Sequence, residues 1–489
     1  MLELIDTSVR DGNQSLWGAT GLNSAMMLGA APVMDRVGFA AIDFTTSTHM
    51  AVAARFQREN PWERIRLMRA AMPRTPLGFL TTGMRFISWE IAHADLMRLA
   101  FGLLVEAGIR RFAIMDPMND ADSMIAMAKL ARDAGVETIA AALTYTVSPV
   151  HDDPHYTARA KSLATSGRFD RLYIKDPGGL LTPERAVTLI PAVRGVIGAA
   201  PLELHSHCTI GLAPFTYQAA PALGVDCLHV AATPLANGSS QPAAIRTVAN
   251  LRAIGVSVDV DDGALTELDD YFGALADAEC LPRGALQEFD AGAFSHQMPG
   301  GMMGTLKRQL AEMRRPGLLP QVLEEVALVR AELGYPIMVT PFSQVVGAQA
   351  VMNIVSGKRY SAIPDEVIRY VIGLFGRPGA ALDAKVEDMV RSSDRAKELA
   401  RTPGMASMDE LRARIGRDVP DEEFLLRATM PADQVDAMLA AGPAKLSYDP
   451  REKPSMDLLR ALAARDDLDD IRVEKPGFRL ELRRALAHS

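Results

Sequence analysis

The chain has 489 residues, 48% of them hydrophobic, and 52 Lys plus Arg against 60 Asp plus Glu give a formal charge of −8. No basic stretch suits nucleic acid, and no apolar run reaches the roughly 18 residues that a membrane span needs. The three cysteines, Cys208, Cys227 and Cys280, have no paired spacing, which excludes a disulfide framework or a four-cysteine zinc site. The first residues, LELIDTSVRDG, carry no basic and apolar leader, so a reducing, cytoplasmic setting is expected.

Short apolar, strand-like stretches recur at residues 2–9, 39–44, 77–82, 111–115, 138–144, 171–174, 202–207 and 226–231. Amphipathic helical stretches, such as 95–107 and 123–134, lie between most of them. Strand–helix alternation implies a parallel sheet, and eight units over residues 1–285 predict an α/β fold, a (β/α)8 TIM barrel. An open doubly wound sheet is the alternative, but no glycine-rich dinucleotide turn follows the first strand. After about residue 285 strand signals fade. Helical stretches such as 302–314 and 319–333 predict a mostly helical domain over 286–470, with a terminal tail at 471–489.

Barrel enzymes place their chemistry where strands end and βα loops begin. Arg10-Asp11 is read as closing the first strand, Lys175-Asp176 the sixth and His205-Ser206-His207 the seventh. Alternation puts His205 and His207 on one strand face. Two imidazoles and the Asp11 carboxylate are a donor set for zinc, manganese or a similar divalent ion. The competing reading is one core histidine and one exposed one. Lys175 stays open on its residues alone: a neutral amine, a salt-bridge partner of Asp176, or a modified side chain.

The segments DTSVRDGNQS (6–15), YIKDPGGLLTP (173–183), HSH (205–207) and HQMPGG (296–301) together resemble the carboxyltransferase domain of biotin-dependent enzymes. That group includes pyruvate carboxylase, transcarboxylase and the oxaloacetate decarboxylase α subunit. Shorter matches, including Ser240-Gln241-Pro242, extend the resemblance over most of residues 1–430. It implies that Lys175 carries a carbamate formed from CO2 and joins Asp11, His205 and His207 around the metal. It also implies that Thr340 shuttles a proton between biotin and substrate, with Gln14 and Arg10 close to substrate and metal. An ordinary helix N-cap is the other reading of Thr340.

The acceptor pocket departs from the resemblance. Thr45, Thr46 and Ser47 stand where the pyruvate enzymes carry Trp-Gly-Gly, and Ala51 where they carry an aspartate. Thr82 replaces the arginine that grips a 2-oxo acid carboxylate, and Trp89 a tyrosine. A threonine cannot make a bidentate charge-assisted pair. Arg85 is the one nearby cation that can restore the charge. A small-molecule acceptor other than pyruvate is therefore expected.

No Ala-Met-Lys-Met-like biotin attachment turn and no ATP-grasp region occurs in the sequence. The resemblance then implies a separate biotin carboxyl carrier protein, a separate biotin carboxylase subunit and a homodimeric carboxyltransferase. The competing classes are a metal-dependent C–C lyase or Claisen condensing enzyme on the same barrel, and a scaffold subunit without catalysis.

Overall fold

The computed structural model describes residues 1–88, 91–376, 378–401 and 405–450, with 458, 461–462, 465, 470–475 and 478–483 beyond them. Eight parallel strands close into a barrel in chain order. They are β1 (Glu3–Asp6), β2 (Ala41–Thr46), β3 (Leu77–Thr82), β4 (Ile109–Met115), β5 (Thr138–Thr144), β6 (Arg171–Asp176), β7 (Leu202–Ser206) and β8 (Cys227–Val230). Ile5 sits beside both Ala41 and His229, so β1 joins β2 to β8 and leaves no edge.

Alternation sorts each strand into two faces. Outward residues such as Leu77, Phe79, Phe112 and Leu204 pack against the helices in one large core. Many inward positions are small or compact: Gly78 and Ala113, then Ala140 and Ala142 against Tyr173. Leu80, Met115 and Ile5 add apolar side chains, and Asp43, Arg111, Glu203, His205 and His229 are polar groups turned inward among them.

Local chemistry sets the helix starts. Asn60 accepts from the N–H groups of Trp62 and Glu63, and Pro61 opens the helix Pro61–Ala71. Thr182 caps the helix Pro183–Ile197 in the same way. Trp62 is fully buried, and its indole N–H donates to the carbonyl of Glu422.

A second core gathers Val322, Val326, Val329, Phe342, Val345 and Val371 from the helices that follow the barrel. It docks on the loop after β5. Gln297 accepts from the Thr146 hydroxyl at 2.7 Å and donates to the Val147 carbonyl at 2.6 Å. Arg330 donates to the same two groups. The helices Met408–Ile415, Asp421–Thr429 and Ala432–Ala441 return to the barrel, where Leu411, Phe424, Leu425 and Val435 join its outer core.

Two elements differ from the sequence reading. The first strand stops at Asp6, not at residue 9. The Asp6 carboxylate takes both the N–H and the hydroxyl of Ser8, and the Thr7 carbonyl accepts from the N–H groups of Arg10 and Gly12. The chain therefore curls into a wide helical turn, Ser8–Gly12. At the other end, β9 (Asp470–Lys475) and β10 (Phe478–Arg483) form an antiparallel hairpin where only a short terminal segment was expected.

Candidate metal centre and active site

The turn Ser8–Gly12 places Arg10 and Asp11 at the mouth of the barrel rather than on a strand. Arg10 donates through Nε to Asp43 at 2.8 Å and also bonds it through a terminal nitrogen. Its other terminal nitrogen lies 3.3 Å from Asp11 Oδ1. His49 holds the turn from below: its Nε2 lies 3.0 Å from the Arg10 carbonyl and its Nδ1 3.0 Å from the Thr46 hydroxyl. A carbonyl only accepts, so Nε2 carries the His49 proton and Nδ1 accepts from Thr46. Burial pushes the His49 imidazole down to about 3, which keeps it neutral.

Asp11 Oδ2 faces two imidazoles, 3.0 Å from His205 Nε2 and 3.3 Å from His207 Nε2. The two Nε2 atoms are 3.1 Å apart. Tetrahedral ligands at roughly 2.0–2.1 Å from a zinc ion are about 3.3 Å from each other, so this spacing suits a small divalent cation. Proton positions agree. His207 Nδ1 sits 2.5 Å from the Ser239 carbonyl, so it carries the ring proton and leaves Nε2 as a bare lone pair. Arg10 holds the Asp11 carboxyl well below the usual range despite its burial. Burial and the neighbouring imidazoles hold His205 well below its ordinary value, neutral as a ligand must be. Asp11, His205 and His207 are the one cluster of such donors among the described residues.

Lys175 is the last but one residue of β6, in register with His205 and Thr144. It is buried, and burial together with Arg10 pushes its amine down to about 8. The salt bridge to Asp176 does not form. Asp176 points to the other face, where it accepts from the N–H groups of Leu180 and Leu181 and from the Ser206 hydroxyl. A buried lysine without that partner is a nucleophilic amine.

The remaining expected residues are spread more widely. Gln14 is exposed on the short helix Asn13–Trp17. The register of β2 shifts between Asp43 and Thr45, so Thr45 pairs with the outward Phe79 and Thr46 with the inward Leu80, and the Thr46 hydroxyl is used in capping Ser47–Val52 and holding His49. Ala51 is half-buried on that helix. Thr82 ends β3 facing inward, as Leu80 does two residues earlier. Arg85 turns aside: its guanidinium lies 6.0 Å from the centre of the Phe375 ring, with Asp116 close by, beside a 130 Å³ cavity. Trp89 lies outside the described residues. Thr340 is exposed ahead of the helix Phe342–Ser356. It is not that helix's N-cap, because Pro341 takes the position and no side chain caps it.

Sequence reasoning missed four polar residues. Asp43 anchors Arg10, and the Gln241 amide nitrogen covers the cluster at 3.1 Å from Asp11 Oδ2, 3.2 Å from His205 and 3.0 Å from His207. Glu203 and His229 lie beneath His205 inside the barrel. A signal existed: Glu203, His205 and His207 alternate on one face of a buried strand, where apolar residues are the rule.

A closed eight-stranded barrel with a carboxylate and two imidazoles converging at its mouth defines a (β/α)8 architecture whose mouth carries a donor set that could hold a divalent metal. The chain matches the conserved carboxylase domain over residues 293–448. It is 36% identical over 387 residues to a pyruvate carboxylase subunit of Methanocaldococcus jannaschii, covering 79% of this chain and 68% of that one. It is 31% identical over 456 residues to the 2-oxoglutarate carboxylase large subunit of Hydrogenobacter thermophilus, covering 91% and 70%. The methylmalonyl-CoA carboxyltransferase 5S subunit of Propionibacterium freudenreichii is 28% identical over 402 residues, covering 81% of this chain and 77% of that one. Among solved structures, the carboxyl transferase domain of Rhizobium etli pyruvate carboxylase with oxamate and biotin aligns with a TM-score of 0.80 at 25% identity. That alignment covers 90% of this chain and 77% of that one. The chain belongs to the carboxyltransferase family of biotin-dependent carboxylases.

Proposed function

We propose that this chain is the carboxyltransferase subunit of a multi-subunit biotin-dependent enzyme. In this reading it moves a carboxyl group between carboxybiotin on a separate carrier protein and a small-molecule acceptor, and a separate biotin carboxylase loads the carrier. The observation that carries the reading is the convergence of Asp11, His205 and His207 beside the low-pKa amine of Lys175. Lys175 adds through its neutral nitrogen to CO2: the N–C bond forms, a proton leaves to solvent, and an anionic carbamate replaces a cation. That oxygen ligand would complete the set for zinc or manganese. A bound metal supplies Lewis-acid and electrostatic stabilisation of negative charge developing on the acceptor. Arg10 holds Asp11 in place, and the exposed hydroxyl of Thr340 carries a proton between acceptor and biotin.

The end of β3 supports one reading of the acceptor. Thr82 offers a hydroxyl and no charge, and Arg85 is engaged with Phe375 and Asp116. We therefore favour an acceptor that is not gripped by an arginine at this position, distinct from pyruvate. Two relatives named as pyruvate carboxylase subunits favour the second reading, pyruvate itself. An acceptor screen with carboxylated carrier separates them. The first reading expects kcat/KM for pyruvate at least about 100-fold below that of the best acceptor, the size of one lost charge-assisted pair. Efficient pyruvate carboxylation overturns it.

A further inference from the structure

Inside the barrel, one line of polar atoms runs down from His205. Its Nδ1 lies 3.1 Å from His229 Nδ1, and His229 Nε2 lies 3.0 Å from Glu203 Oε2. Glu203 is fully buried. Its carboxylate also accepts from Arg111 at 2.6 Å and from Arg171 Nε, and these guanidiniums hold its carboxyl well below the usual range. Tyr217 ties the two strands: its hydroxyl donates to the His229 carbonyl at 2.7 Å and accepts from the Ser206 N–H at 3.0 Å. Buried charge is costly, and Ile5, Gly78, Ala113 and Tyr173 line the same space beside Asp43 and Arg111.

We propose that Glu203 and His229 form a positioning relay that fixes the ring proton of His205 and aims its Nε2 at the metal. The inference rests on the metal-centre reading above. An ionised carboxylate only accepts, so His229 Nε2 carries a proton that it donates to Glu203. The 3.1 Å contact between the two Nδ1 atoms needs one donor and one acceptor, and in the relay His229 Nδ1 accepts from His205 Nδ1–H. That leaves His205 Nε2 as a lone pair, directed to the point that Asp11 and His207 also face. Partners of a ligand imidazole set its orientation and basicity, and their loss weakens metal binding by about 10–100-fold. Here the carboxylate acts through a second imidazole, which lets a charge deep in the barrel orient a ligand at its mouth.

Two substitutions separate proton positioning from packing. His229→Phe keeps a ring and removes the acceptor. His229→Asn sets a carbonyl oxygen near the place of Nδ1 and restores it. Titration of metal-free protein with Zn2+ against a chromophoric chelator, with the Co2+ absorption spectrum as a second readout, is expected to show about 10–100-fold weaker binding in His229→Phe. His229→Asn is expected to recover most of that loss. Equal affinity in wild type and His229→Phe overturns the relay, and so does a His229→Asn that binds no better than His229→Phe. If His229→Phe fails to fold, 15N-histidine NMR of the wild-type metal complex decides: the proton on His205 Nδ1 supports the relay, and a bare Nδ1 overturns it. A wild-type chain that takes up no metal ends both the metal-centre reading and the relay. Metal uptake without an effect of His229 ends the relay alone.

Discussion

Lys175 concentrates the chemistry at the residue scale. Its amine, pushed down to about 8, is the one group of the proposed set that needs covalent change before it can bind a cation. Intact-mass analysis of protein held in bicarbonate should show one added CO2, which Lys175→Gln should abolish together with transfer. An unmodified lysine in active protein contradicts the carbamate. His207→Ala should leave gel-filtered protein without stoichiometric metal by elemental analysis, since Asp11 and His205 alone cannot enclose an ion. Metal retained at one per chain contradicts the ligand set. His205 and His207 were legible in the sequence because they lie at and just past the end of β7, whereas Asp11 was reached from a strand end read too late, since β1 stops at Asp6 and the Ser8–Gly12 turn carries Asp11 to the mouth. Gln241 stood out only within the short match Ser240-Gln241-Pro242, with no role attached, because its approach to the cluster depends on the path of a loop more than 30 residues beyond His207.

At the scale of elements, the turn after β1 and the loop after β6 do the positioning. Eight strands could be read from alternation and apolar runs, because the barrel interior and the helix layer impose opposite demands on neighbouring positions. The end of β1 was misread because Val9 extends the apolar pattern, while the Asp6–Ser8 hydrogen bonds decide the backbone. Asp6 is fully buried, and desolvation raises its carboxyl from 3.8 to about 7. Between those values the folded chain keeps a proton that the unfolded chain releases, so this group's contribution to stability is lost as pH rises through that window. Asp6→Asn should remove that dependence. The Tm difference between wild type and Asp6→Asn should shift against wild type from pH 4 to 7. A difference that is constant with pH contradicts the assignment. In the second loop, Asp176→Ala should strand two backbone N–H groups and a hydroxyl, costing on the order of 3 kcal/mol in denaturant unfolding. An unchanged midpoint would show that the loop does not rely on this carboxylate.

Across the whole molecule, the helices after residue 293 set a second core against the β5 loop through Gln297 and Arg330, then return along the barrel's outer wall. This path could not be read from helical periodicity, which gives each helix a buried face but not the surface it meets. Arg330→Ala should release Thr146 and Val147 and lower transfer more than it lowers global stability. Equal activity at unchanged Tm would show that the docking is dispensable. Carboxyl transfer from biotin at the barrel mouth can be followed by incubating the chain with 13C-carboxylated biotin carrier protein and a panel of 2-oxo acids and acyl thioesters. Wild type should give acid-stable 13C product with at least one acceptor, blocked by avidin and absent in His205→Ala. No labelled product with any acceptor, or turnover that ignores avidin, would contradict that transfer.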